Sequence, residues 1–445
     1  MKRETWFNNE IPRGWEVTRL KSVIISVKNG IWGDEPLNNS DDIECVRIAD
    51  FDRKKNIVKD KEFTLRNIPK IQSENYLLKK GDLLIEKSGG GEKQPVGFVV
   101  QYNLDKKAVY ANFMAKIELN SQKVDSTFMN YVFSSLYAVK ANLKAFNQTT
   151  GIQNLNKSVY LNEVFMYPSL NVQKNIVNFL NKKIQAIDET INKKQKMVEL
   201  LEQQRQSIIT EAVTKGLNSN VKMKDSGVEW IGEIPEHWTV NKIKRIVDIL
   251  TCGYASTPTY VDESKGVPFL SAQNVSRSGK LKLEKYNYIS QELHNSLTKY
   301  KKPMKGDILQ VRVGAGIGQT CIVDVDFDFS IYVSLSHIRV KKFIHNKYLT
   351  YILGSRNFNE YANMQTLQAG GVGNLNVSDL EKSKIPYPSL KEQIEIASYL
   401  EVECSKIDNL VESINKQIEK LKEYRQALIY EAVTGKIDVR DMELD

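Results

Sequence analysis

Five short motifs occur twice in this chain and in the same order. Ile11-Pro12-Arg13-Gly14-Trp15-Glu16-Val17 returns as Ile234-Pro235-Glu236-His237-Trp238-Thr239-Val240, and Gly81-Asp82-Leu83-Leu84 returns as Gly306-Asp307-Ile308-Leu309. Asn154-Leu155-Asn156 matches Asn374-Leu375-Asn376, Tyr167-Pro168-Ser169-Leu170 matches Tyr387-Pro388-Ser389-Leu390, and Glu211-Ala212-Val213-Thr214 matches Glu431-Ala432-Val433-Thr434. The offset drifts only between 220 and 225 residues, so the 445 residues hold two copies of one unit. Each copy is a variable block followed by a more uniform tail. The repeat sets the boundaries: a first block at 1–168, a tail at 169–216, a linker at 217–233, a second block at 234–388, a second tail at 389–436 and an end piece at 437–445.

The tails read as helices. No Pro or Gly interrupts them between Pro168 and Gly216, or between Pro388 and Gly435. Val177, Leu180, Ile184, Ile187, Ile191, Lys194, Val198, Leu201, Arg205, Ile208 and Ala212 follow one another in steps of three and four, and the second tail repeats the series from Ala397 to Ala432. This is a heptad seam, with an Arg at the same place in both copies (Arg205 and Arg425). Those arginines either pair across the seam with acidic neighbours or fix its register. Helices of ~42–45 residues would be ~63–68 Å long at ~1.5 Å per residue, far beyond an ordinary globular helix. The simplest burial for two such seams is on each other. Antiparallel packing is expected, since a parallel pair would crowd both blocks at one end.

The blocks mix signals. Short β-type runs (Ile43 to Ile48, Leu83 to Glu86, Val96 to Val100, Val267 to Leu270, Ile308 to Val313, Thr320 to Val325, Tyr332 to Val340) alternate with turn residues, and helical stretches follow from Ser126 to Phe146 and from Asn346 to Met364. The expected class is α+β: two mixed blocks with mainly antiparallel sheets, separated by two long helices in an antiparallel coiled coil. The linker is polar and expected to be exposed. Of the net charge of +9, the block at 11–165 carries +5 and the block at 234–384 carries +7, which leaves −3 for the rest. Two separate basic blocks favour a polyanion.

Catalytic patterns are missing. Gly314-Ala315-Gly316-Ile317-Gly318 is followed by a strand pattern where a phosphate loop needs a helix, and neither it nor Gly89-Gly90-Gly91-Glu92-Lys93 fits GxxxxGK[ST]. The four His and four Cys have no metal-ligand spacing. The sequence therefore predicts no catalytic residue, no metal site and no cofactor bound by this chain. No apolar run approaches the ~20 residues a membrane span needs. The start, basic but without an apolar core, is no secretory signal, so the cytoplasm is the expected compartment.

The order of block, long helix, block, long helix resembles the specificity subunit of type I restriction–modification enzymes. The helix entrances, with Gln173 and with Glu392-Gln393, and the exits Arg205 to Thr214 and Arg425 to Lys436 carry the resemblance most specifically. The first copy departs from it with Asn171-Val172 in place of Lys391-Glu392, and with Thr214-Lys215-Gly216 in place of Thr434-Gly435-Lys436. The resemblance implies that each block is a target recognition domain for one half of a bipartite, asymmetric site in double-stranded DNA, and that the helices set the gap between halves. It also implies docking of two methyltransferase subunits, which bring S-adenosylmethionine, and of restriction subunits that use ATP and Mg²⁺.

Base readout needs donors and acceptors on loops that fit a groove. In the first block the candidates are Lys87, Ser88, Gly89, Gly90, Gly91, Lys93 and Gln94, with Asn29, Gly30 and Trp32 on a second Gly turn, and Arg47, Gln148 and Thr149 beyond them. In the second block they are Arg312, Gly314, Gly316 and Gln319, with Tyr254, Ser256 and Thr257, then Gln273, Asn274 and Arg277, and finally Gln365 and Thr366. Trp15 and Trp238, placed identically in the two copies, are expected to pack rather than stack on bases.

Overall fold

In the computed structural model the repeated motifs are a repeated backbone. The structure describes residues 6–7, 10–149, 152–276, 278–314, 316–368 and 374–439, with side chains throughout except at 147–149 and 365–368. Two compact units emerge, one from Met1–Lys193 with Gln417–Asp445 and one from Lys194–Lys416. Both divisions fall inside continuous helices, Leu170–Lys215 and Leu390–Val433, so each unit holds one block and a part of each long helix.

The two units share their sheet topology. In the first, strands Ile24–Asn29, Met114–Leu119, Asp82–Glu86 and Val99–Tyr102 lie side by side and antiparallel, and two short strands extend the sheet. In the second, Val247–Cys252, Leu335–Val340, Ile308–Val311 and Thr320–Ile322 repeat that order. A smaller sheet also recurs: Asp42–Val46 is antiparallel to Thr64–Asn67 and parallel to Ala108–Tyr110, as Gly266–Leu270 is to Asn287–Ser290 and Ser330–Ile331. A two-stranded pair leads into each long helix, Glu16–Arg19 with Val164–Tyr167 and Thr239–Lys242 with Lys384–Tyr387. The α+β class expected from the sequence is what forms.

Within each unit the long helices run antiparallel. In the second unit, Ile209, Ala212 and Val213 at the end of the first helix share a core with Ile396, Ala397 and Leu400 at the start of the second. Arg205 pairs there with Asp408 at 3.3 Å. In the first unit Arg425 pairs with Asp188, also at 3.3 Å, and gives a second nitrogen to the Lys54 carbonyl. The cross-seam pairing of the two arginines is therefore the reading that holds. Seam residues Leu180, Ile184, Ile187, Ile191, Leu400, Cys404, Ile407, Ile414 and Ile418 are buried as the heptads require. Ile176, Ile209, Ile396 and Ile429, off the seam, are buried too, because the helix ends pack on a block as well as on a helix.

The repeated motifs are the joints of this frame. Gln173 and Gln393 are fully buried and make matching bonds. Gln173 accepts from the Asp125 amide (2.8 Å) and donates to the carbonyls of Lys123 and Pro168 (2.9 and 2.8 Å). Gln393 accepts from the His345 amide (2.8 Å) and donates to Phe343 and Pro388 (3.1 and 3.0 Å). Each glutamine thus rivets its helix entrance to its own block. Trp238 is buried and donates to Glu392 at 3.0 Å, beside Gly216. Trp15 packs against Gly435 in the first unit, where Val172 stands in place of Glu392. Both tryptophans are packing residues.

The Gly-Asp motif opens the central strand. Asp307 is buried and accepts from Arg339 through two bonds of 2.8 Å, from His337 (2.7 Å) and from the Met304 amide (2.8 Å). Asp82 keeps a thinner version, with the Lys79 amide at 2.9 Å and Lys116 at 3.3 Å. Burial pushes the Asp307 carboxyl up, but the Arg339 and His337 bonds outweigh it and hold it at about 2. A carboxyl depressed in the fold stabilises above its unfolded pKa near 3.8 and loses that contribution as pH falls toward 2. Unfolding by urea is expected to show the wild type losing about 2 kcal/mol more between pH 6 and pH 2 than Asp307→Asn does.

Three expectations need correction. The linker is not simply exposed: Met223–Asp225 pairs with Glu233–Pro235, Ile231 is buried, and Trp230 packs edge-on against Phe358 at 5.5 Å. Its apolar Val228, Trp230 and Ile231 join the core of the second unit. The stretch from Ser126 is an α-helix only to Ala138; Lys140 takes a left-handed turn (φ 60°), and the chain continues as a short 3₁₀ helix, Ala141–Ala145. The stretch from Asn346 breaks at Ser355, whose buried hydroxyl bonds back to Ile352.

Candidate nucleic-acid interface

The end of the central strand builds a cradle in the first unit. Beyond Glu86 the amides of Lys87 and Ser88 bond to the Phe113 carbonyl (2.9 and 3.1 Å), and the Leu155 amide bonds to Lys87 (2.8 Å). Ser88 donates its hydroxyl to Asn154 at 2.7 Å, which is the work of the first Asn in the repeated Asn-Leu-Asn. Gly91 and Gln94 then exchange backbone bonds (3.0 and 3.1 Å) in a tight hairpin that leaves Glu92 and Lys93 exposed at its tip. Opposite, the Arg47 amide is held by Asp50 at 2.7 Å, at the head of a single turn from Ile48 to Asp50. These segments enclose a pocket of about 420 Å³ walled by Trp32, Ile48, Ala49, Ala111 and Phe113, with Arg47, Ser88 and Asn112 as polar lining and Glu86 buried among them.

The second unit has the same backbone with other side chains. Arg312 bonds its amide to Ser334 (3.0 Å) and accepts from Leu375 (2.8 Å), as Lys87 does with Phe113 and Leu155. The Ser271 amide is held by Asn274 at 3.0 Å, as Arg47 is by Asp50. Tyr332 bonds to Leu270 (2.8 Å) as Ala111 bonds to Val46 (2.9 Å). At equivalent places around this frame, Arg47 becomes Ser271, Ala49 becomes Gln273, Asn112 becomes Val333 and Phe113 becomes Ser334. A conserved frame thus carries two unlike linings.

The sequence candidates separate by exposure. Asn29, Arg47, Gly89, Gly91, Lys93, Gln94, Ser256, Thr257, Gln273 and Gly314 are exposed. Trp32, Lys87, Gly90, Tyr254, Gly316 and Gln319 are half-buried. Burial, and then the charge of Lys157, lower the Lys87 pKa. The structure brings Trp32, Arg47, Ser88 and Gly89 together around one pocket.

Four candidates turn out to be frame. Asn274 is buried and donates its amide to the carbonyls of Lys282 and Lys285 (2.8 and 2.9 Å). Arg312 is buried and clamps the carbonyls of Leu375 (3.1 Å) and Val333 (3.3 Å), so its charge is spent inside the domain. Ser88 is buried on Asn154. At Gly30 a Cβ would stand 2.3 Å from two backbone oxygens, so this glycine serves strand contact and not the approach of a ligand. Arg277 lies outside the described residues, as do the side chains of Gln148, Thr149, Gln365 and Thr366. Asn112 and Phe113 were missed because they follow a strand-like run without any turn signal; Phe113 is half exposed at the pocket.

The glycine run after Arg312 is a hairpin loop. Ile317 bonds to Gly314 (3.1 Å) and Gln319 to Gly316 (3.0 Å), between the paired strands Ile308–Val311 and Thr320–Ile322. Among the described residues no group of three or more His, Cys, Asp or Glu gathers as a metal site, and no helix is long and apolar enough to cross a membrane.

Comparison with known proteins fits the doubled frame. Residues 12–200 and 235–423 both match the family described as type I restriction modification DNA specificity domain. The chain belongs to this family. Its relatives include the specificity subunit of type I restriction enzyme MjaVIII from Methanocaldococcus jannaschii, 27% identical over 97% of this chain and 95% of the relative. The specificity subunit of EcoBI from Escherichia coli is 24% identical over 73% of this chain and 68% of its own length. A solved structure from work on complex assembly and conformational transition of the type I R-M system superposes with a TM-score of 0.70, at 18% identity, over 97% of this chain and all of that one. As a type I specificity chain it carries two DNA specificity domains, and their shared frame and unlike linings are the two cradles described above.

Proposed function

We propose that the two units read the two unlike halves of one bipartite site in double-stranded DNA, and that the chain hands this address to catalytic subunits without doing chemistry itself. The observation that carries the reading is the pair of cradles: one hydrogen-bonded backbone, used twice, lined by Arg47, Asn112 and Phe113 in one unit and by Ser271, Val333 and Ser334 in the other. Identical frames give both domains the same way of approaching DNA. Unlike side chains give each its own base preference, so the site is asymmetric.

In this reading two methyltransferase subunits dock on the paired helices and bring S-adenosylmethionine, while restriction subunits bring the ATP- and Mg²⁺-dependent steps. The complex works in the cytoplasm, on chromosomal and incoming DNA. The acidic end of the chain supports a docking role: residues 385–445 hold 13 acidic and 8 basic residues, a poor match to phosphate.

The test is to replace the first block, 20–163, by a copy of the second, 243–383, and to map methylated adenines made by this chain with its methyltransferase subunits. The expected site becomes symmetric, built from two copies of one former half. A site that stays asymmetric would contradict the proposal, and so would methylation or cleavage by the purified chain alone with S-adenosylmethionine, ATP and Mg²⁺.

A further inference from the structure

We infer that Arg47 reads a guanine in the half-site of the first unit. This rests on the recognition reading above and deepens it. Arg47 is anchored from behind: its amide bonds to Asp50 at 2.7 Å, while its Nε stays 4.0 Å from the same carboxylate. Asp50 is buried and already paired with Lys61 at 2.7 Å, so it does not need the guanidinium. The side chain is 44% exposed and lines the pocket. Three of the cations near this face are engaged otherwise: Arg53 pairs with Glu86, Arg66 lies over the Trp32 ring at 4.5 Å, and Lys157 bonds to Asn29. Held at its base and paired only at 4.0 Å through Nε, the half-exposed fork of Arg47 matches the O6/N7 edge of guanine, where an arginine makes two parallel bonds.

The setting favours a base edge over a phosphate. The pocket walls are Trp32, Ile48, Ala49, Ala111 and Phe113, apolar surfaces suited to base edges and the thymine methyl. Glu86 also lines the pocket, but its ion pair with Arg53 leaves no free positive charge there to draw a phosphate. Lys93, exposed at the hairpin tip, is better placed for the DNA backbone. At the place of Arg47 the second unit has Ser271, its amide held by Asn274 at 3.0 Å, and a single hydroxyl cannot make the paired bonds of an arginine, so the guanine requirement belongs to one half-site.

The experiment uses the full chain with its methyltransferase subunits and compares wild type, Arg47→Gln, Arg47→Lys and Lys93→Ala by methylated-adenine mapping. The block replacement described above identifies the first unit's half-site as the one that disappears. The wild-type motif is expected to require guanine at a position of that half-site. Both Arg47 variants are expected to lose roughly tenfold to a hundredfold of the discrimination at that one position, since Lys keeps the charge but not the paired bonds, while the other half-site is unchanged. Lys93→Ala should lower methylation of all sites alike. If an Arg47 variant methylates nothing, competition between duplexes with guanine or adenine at that position decides: wild type prefers guanine at least tenfold, and the variant less than threefold. A half-site without guanine, or Arg47 variants that weaken all sequences equally (the behaviour of a phosphate contact), would overturn the inference. A motif left unchanged by the block replacement would instead overturn the recognition reading.

Discussion

Adding four residues to each long helix is expected to lengthen the unread gap of the methylated site and to leave both half-sites as they were. The chain passes between its units at 193/194 and 416/417, and both crossings are helical. The place for the insertions is between the ion pairs that mark each unit, within 189–204 of the first helix and 409–424 of the second, so that Asp188–Arg425 and Arg205–Asp408 both survive. Four residues add ~6 Å of helix and are one of the two steps of the seam, so the apolar stripe stays continuous. Along B-DNA, at ~3.4 Å per base pair on one strand, that is up to about two base pairs, and less if the helices lie at an angle to the duplex. An insertion in one helix alone slips the antiparallel seam past itself, sets Arg205 or Arg425 against the wrong neighbour, and is expected to abolish methylation. Mapping of the doubly extended chain decides the matter: if the old spacing persists at full efficiency, the helices do not set the gap.

What could be read in advance divides along a physical line. Periodic burial is legible: Ile184, Ile187, Ile191, Ile407, Ile414 and Ile418 repeat at heptad spacing because a helix face repeats, and all are buried. Residues conserved between the copies also declared themselves, and Trp238, Gln173 and Gln393 proved to be joints. Polar residues in irregular loops did not. Asn274 and Arg312 have the composition of a DNA contact, yet their donors end on backbone carbonyls contributed by residues 8 and 63 positions away. Nothing local distinguishes a guanidinium that faces a groove from one that ties two loops together. The linker misled for the converse reason, since Val228, Trp230 and Ile231 are too few and too irregular to show a period but large enough to find a core. Asn112 and Phe113 reached the site because the strand pairing carries them there, a long-range fact.

Gly253→Ala is expected to lower stability by at least ~3 kcal/mol, a large share of the ~5–15 kcal/mol that holds a typical domain together. A Cβ at this position would sit 2.2 Å from the Ile331 oxygen and 2.5 Å from that of Tyr332. Both obstacles are backbone atoms of a strand and its turn, so no rotamer change relieves the clash. The backbone also cannot move away freely, because Gly253 bonds to Leu335 (3.1 Å) and Tyr254 to Ile331 (2.9 Å). Gly30 stands in the same relation to Tyr110 and Ala111, with both oxygens 2.3 Å from an added Cβ, and Gly30→Ala should behave alike in the first unit. Against this, a Gly→Ala change gains only ~0.4–1 kcal/mol by stiffening the unfolded chain, so the clash decides the sign. Gly91→Ala is the contrast: an added Cβ meets nothing within 4 Å and the residue does not need a left-handed φ, so stability should stay within ~0.5 kcal/mol. Urea unfolding followed by tryptophan fluorescence, with buried Trp238 reporting on the second unit, separates the cases. Were Gly253→Ala as stable as Gly91→Ala, the two glycines of the cradles would not be frame, and the division between shared scaffold and divergent lining would lose its physical basis.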